Sequence, residues 1–174
     1  DAVGNNATQV SVTGVTFDTT APAFTSVSPS TSSSVNTSNV GYTLSEAIAS
    51  GTVTYTQTSA GAGAPIVVNL TTLELNAGIR SSAALTSPPA LVNGAIYEIE
   101  FNGVDAAGNS ASTVTVTGIT FDTTAPEVAI SSSLLTNNAT PIVHGTAEAG
   151  ATVTAVIAGA TYTILVGAPG TWSV

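Results

Sequence analysis

Residues 1–22, DAVGNNATQVSVTGVTFDTTAP, return at residues 105–126 as DAAGNSASTVTVTGITFDTTAP, identical at 16 of 22 positions and offset by 104. The shared parts are not low-complexity filler: a turn-like Asp-Ala-x-Gly-Asn, an alternating Val/Thr stretch, and Phe-Asp-Thr-Thr-Ala-Pro. In Val114-Thr115-Val116-Thr117, as in Val10-Ser11-Val12-Thr13, apolar and hydroxyl residues alternate with period two, the pattern of a strand with one buried face. A period of 104 residues matches one β-sandwich of about 100 residues. The repeat therefore reads as one step of a tandem array.

Working outward from the two copies, residues 19–122 are expected to form one complete module. Residues 1–18 read as the C-terminal strand of a preceding module, and residues 123–174 as the N-terminal part of a following one, without its last two strands. Strands are predicted near 23–28, 39–45, 51–58, 65–71, 80–85, 96–104 and 111–121, with at most one helical turn within 73–79. Beyond Glu127, strands are predicted near 128–131, 141–146, 151–158, 160–166 and 171–174. Turn residues at short spacing favour an antiparallel sandwich over alternating strands and helices. A sandwich without its closing strands exposes an apolar face and an unpaired edge. The protein is thus expected to continue, or another copy is expected to supply strands, a role for which residues 1–18 have the right character.

Composition restricts function. Ten acidic residues face one basic residue, Arg80, giving a net charge of −9, so the surface repels phosphate backbones and anionic lipid, and no nucleic-acid partner is expected. No run of 18 apolar residues is present, so direct membrane insertion is not expected. There are no cysteines, which removes disulfides and thiolate metal sites. With no Cys or Lys, one His and one Arg, the chain lacks the nucleophiles and bases that catalysis uses, and it is expected not to be an enzyme.

Several motifs point to a family. Asp105-Ala-Ala-Gly-Asn109 followed by Phe121-Asp-Thr-Thr-Ala-Pro126, the same pair at 1–5 and 17–22, Gly145-Thr-Ala-Glu-Ala-Gly-Ala-Thr-Val153, Gly170-Thr-Trp-Ser-Val174 and Leu44-Ser-Glu46 together resemble the bacterial Ig-like tandem repeats of large surface adhesins, of the biofilm-associated and type I secreted kinds. The last of these looks like the family's Phe-Ser-Glu element, with Leu44 in place of Phe. The resemblance implies an all-β fold of tandem immunoglobulin-like β-sandwich modules with antiparallel Greek-key strands. It further implies an extracellular, cell-surface location and a role as an extender that holds a terminal binding domain away from the cell.

The four aspartates, Asp1, Asp18, Asp105 and Asp122, all fall inside the repeated motifs. In an Ig-like sandwich the loops after the second and sixth strands lie at the pole where the first strand begins. Asp18, Glu46, Asp105 and Asn109 are therefore expected to meet at the junction with the preceding module. Three carboxylates without a basic partner repel unless protonated or bridged, and an oxygen-only ligand set suits Ca²⁺. A second junction would use Asp122 and Glu148. By resemblance, adhesin repeats often carry calcium at such linkers. The competing reading is plain turn chemistry, with Asp accepting backbone N–H bonds, Gly-Asn tolerating positive φ, and Pro stiffening the linker.

His144 is expected to face outward or to be hydrogen-bonded rather than to ligate, and Trp172, Tyr42, Tyr55, Tyr97 and Tyr162 to serve as core or cross-strand residues. The expected partners are neighbouring modules of the same chain, or other copies through strand addition. Two alternatives to the extender stay open: a filament or sheath subunit built by strand complementation, and a glycan- or receptor-binding module.

Overall fold

A computed structural model of the chain describes residues 2–133 and 135–174. Asp1, the first acid of the repeat, lies outside the described residues. Two compact units divide at Thr123/Thr124.

In the first unit the strands are β1 (Phe24–Ser28), β2 (Ser34–Val35), β3 (Val40–Leu44), β4 (Ser50–Gln57), β5 (Ile66–Asn69), β6 (Gly78–Ala83), β7 (Ile96–Val104) and β8 (Val114–Phe121), with a one-turn 3-10 helix at Thr72–Leu75. The second unit contains β9 (Ala129–Ile130), β10 (His144–Thr146), β11 (Thr152–Ile157), β12 (Ala160–Leu165) and β13 (Thr171–Ser173). The protein is all-β, and among the described residues its sheets are antiparallel apart from one short parallel pairing, β2 with β8.

The first unit packs a sheet of order β1-β3-β6 against one of order β2-β8-β7-β4-β5. Strict alternation builds the interface. In β7, Tyr97, Ile99 and Phe101 point inward while Glu98, Glu100 and Asn102 point outward. Phe101 is fully buried and meets Phe24 and Tyr42 of the opposite sheet at ring-centroid distances of 6.0 and 5.9 Å, with tilted and edge-on geometry. Tilted and edge-on contacts of this kind add to the burial itself, at about 0.5–1.5 kcal/mol per pair. Gly103 continues the inward face where no side chain fits, because a Cβ there would lie 2.9 Å from Ile48 Cδ1 and 3.2 Å from the Phe24 ring.

The seven strands predicted within residues 19–122 all form, most of them trimmed, with Ser50–Gln57 and Gly78–Ala83 shifted toward the N-terminus from the predicted 51–58 and 80–85. A further strand, β2, has no counterpart among the predicted ones. Ser-Ser-Ser-Val has no alternation to detect, and β2 exists through its partner, pairing Ser34 with Thr120 and Val35 with Phe121. Residues 2–18 belong to no strand, and Val10, Val12, Val15 and Phe17 are exposed.

The second unit repeats part of this plan. Its sheet β9-β10-β13 has the order of β1-β3-β6, and the β11-β12 hairpin stands where β4-β5 does in chain order. Its core is small: Ala147, Val153, Val166 and Trp172.

Candidate functional site

Asp105 closes β7 and opens the turn to β8. Its Oδ1 accepts the backbone N–H groups of Ala107 and Asn109, both at 2.8 Å, and Gly108 turns the chain at φ +96°, a conformation that glycine adopts without strain. The turn is sealed by Asp105 N–H donating to the Asn109 carbonyl at 3.1 Å. Turn chemistry of the kind read from Asp-x-x-Gly-Asn is thus present in full.

Asn109 adds a longer reach. Its Nδ2 donates to Asp105 Oδ2 at 2.8 Å and to the backbone carbonyl of Asp18 at 3.2 Å. Both partners are acceptors, which fixes the amide with its nitrogen toward them. Asn109 therefore positions Asp105 and clasps residue 18, rather than turning an oxygen toward the acids as a ligand would. Asp18 folds its own linker in turn, since its Oδ1 accepts Thr20 N–H at 2.9 Å, and the linker ends at the fully buried Pro22.

The outcome is a convergence across the sequence. One carboxylate oxygen each of Asp18, Glu46 and Asp105 lie within 4.8 Å of one another. Glu46 arrives from the turn after β3, and these acids line an open cleft with Thr16, Ala47, Ala106 and Ala107. Asp105 is buried while Asp18 and Glu46 are half-buried. Asp105 sits below the usual carboxylate range, held first by the Asn109 side-chain amide and then by the backbone N–H groups of Asn109, Ala107 and Gly108, against the opposing effect of desolvation. Hence it is charged at neutral pH. The chain's one arginine is engaged elsewhere, with Glu74.

Three oxygens in one Ca²⁺ shell, each about 2.3–2.6 Å from the ion, must lie within roughly 5 Å of one another, a condition the 4.8 Å cluster meets. The donors are hard oxygens, as that ion prefers. The remaining acids belong to separate units. Asp122, exposed at the end of β8, donates its backbone N–H to the Val35 carbonyl at 2.9 Å. Glu148 is exposed in the turn after β10, where its carbonyl accepts Ala151 N–H at 3.1 Å. It lies two residues past its strand, as Glu46 does past β3.

A second buried acid, Glu74, was not among the residues expected from the sequence. It is 2% exposed and its carboxylate accepts Thr71 N–H at 2.8 Å and Thr86 N–H at 2.7 Å, both Thr hydroxyls, and Arg80 Nη2 at 3.3 Å. Burial alone would raise its pKa; these donors outweigh that and hold it below the ordinary value. The Thr71-x-x-Glu74 spacing, a capping-box pattern, was the available signal. This network staples the 3-10 turn to β6 and the 85–86 loop.

His144 is exposed, Tyr42, Tyr55, Tyr97 and Trp172 are buried in cores, and Tyr162 stands across from Ala155 in the β11-β12 hairpin. Compared with known proteins, the chain matches no family model, no curated protein and no solved structure.

Proposed function

We propose that this chain is a structural extender, a stretch of tandem immunoglobulin-like modules of an extracellular adhesin on the bacterial cell surface, with joints stiffened by Ca²⁺. The observation that carries the reading is the convergence of Asp18, Glu46 and Asp105 where the linker enters the sandwich, with the linker already clasped by Asn109. A cation there ties a residue of the linker to two turns of the sandwich, and removes the repulsion among three like charges. The shared strand order of the two units and the 104-residue repeat support the modular part of the reading. On this reading the role is mechanical and not catalytic, because a row of flexible joints coils while clamped joints keep their reach.

Small-angle scattering on the whole chain tests it. Calcium should lengthen the maximum dimension relative to EDTA, and the Glu46→Gln, Asp105→Asn double variant should keep the EDTA value in both conditions. Equal dimensions with and without calcium in the unaltered chain would sink the clamp.

A further inference from the structure

The repeat places the two ends of a joint on one unit. Asp18 stands where a linker enters the sandwich, and Asp122, its counterpart 104 residues on, stands where the next linker leaves. At the leaving end Phe121 exchanges hydrogen bonds with the turn before β7. Its carbonyl accepts Gly94 N–H at 2.7 Å, and its own N–H reaches the Ala95 carbonyl at 2.9 Å. Asp122 N–H follows with the Val35 carbonyl, and then a side chain takes over. Asn93 Oδ1 accepts both the N–H of Thr123, at 2.6 Å, and its hydroxyl, at 3.0 Å. Asn93 is held there by its own turn, Val92-Asn93-Gly94-Ala95, which Ala95 N–H closes on the Val92 carbonyl at 3.1 Å. Gly94, at φ +77°, is the left-handed third residue that a type II turn requires.

We propose that Asn93 is an exit clasp, a positioning residue that fixes the linker to the module the chain is leaving and needs no cation to do so. This rests on the extender reading and deepens it. The acid cluster and Asn109 grip Asp18 from the module being entered. A linker fixed to one module alone still swings about the other, however tightly the first end is held, so a calcium clamp supplies half of a stiff joint. Overlaid at the 104-residue offset, the two copies of the motif supply both halves. The aspartate has its N–H held by the module it leaves, as in Asp122, and its carbonyl held by the module it enters, as in Asp18. The threonine after it belongs to Asn93, as in Thr123. The two grips meet on one residue, with no free residue between them. Threonine suits this place because it brings a backbone donor and a hydroxyl donor to one oxygen, which alanine or valine cannot.

Amide hydrogen exchange on the intact chain, resolved by NMR, tests the clasp. Thr123 N–H should be protected in EDTA as it is in calcium. In Asn93→Ala it should exchange about tenfold faster, the effect of losing one hydrogen bond, while the amides of β7 and β8 keep their rates. Asn93→Asp retains an acceptor oxygen and should restore the protection. Protection of Thr123 that requires calcium, exchange indifferent to Asn93→Ala, or no rescue by Asn93→Asp overturns the proposal. So does faster exchange spread along β8, which would make Asn93 a part of the sandwich rather than a hold on the linker. The two halves of the joint fail separately. A chain whose dimensions ignore calcium sinks the clamp and leaves Asn93 in place, whereas a calcium-responsive chain with Thr123 indifferent to Asn93 does the reverse.

Discussion

Asp105 and Glu74 are two carboxylates that hydrogen-bond donors hold below their ordinary pKa, and each fixes a turn. Removing the Asn109 amide should therefore act through Asp105: in Asn109→Ala, the Asp105 carboxyl should titrate higher by NMR, because the first of the groups holding it down is gone. Glu74→Gln removes the charge that Arg80 meets and should cost about 3 kcal/mol of first-unit stability by denaturant unfolding. The pH dependence follows from the direction of both shifts. A carboxyl with a depressed folded pKa contributes stability that is present above its ordinary pKa, 4.5 for Glu74 and 3.8 for Asp105, and that is lost as pH falls through the folded value. First-unit melting should hold level above about pH 5 and fall below it, less steeply in Glu74→Gln. Asp18 and Asp105 of the candidate site were readable in the sequence because they sit in repeated motifs, and Glu46 because the loop after the second strand of a sandwich lies at the same pole. The turn of Asn109 away from a ligand role was not, since only the position of the Asp18 carbonyl decides which way its amide faces.

Among the elements, β7 carries the core. Truncating Phe101→Ala removes the ring that both Phe24 and Tyr42 pack against, and should cost about 3–5 kcal/mol, read as a lower urea midpoint. Alternation made β7 and β8 plain from the sequence, because each has one face in the core. Where pairing rather than burial creates a strand, the sequence was silent: β2 is Ser34 and Val35 at the end of a serine run, recruited by the edge of β8. Glu74 escaped for a related reason. Its partners Thr86 and Arg80 lie 12 and 6 residues away, and only folding of the 3-10 turn brings them together.

The molecule as a whole offers two optical probes that separate its units. Trp172, the single tryptophan, lies in the second unit, while the buried tyrosines Tyr42, Tyr55 and Tyr97 lie in the first. Small units bury proportionally less surface. With a hydrophobic core of four buried residues among those described, the second unit should melt first, so the tryptophan signal should change at a lower temperature than the tyrosine signal. The clamp belongs to the first unit, and the most direct test of it is thermal unfolding of the intact chain, followed through the tyrosines, in calcium and in EDTA. A cation at about a hundredfold over its dissociation constant contributes about 2.7 kcal/mol, which raises the melting temperature of a domain of this size on the order of 10 °C. The account predicts that rise in the tyrosine transition and its loss in Glu46→Gln, Asp105→Asn. A tyrosine transition at the same temperature in calcium and in EDTA would contradict it, and would leave Asp18, Glu46 and Asp105 as the makers of turns alone.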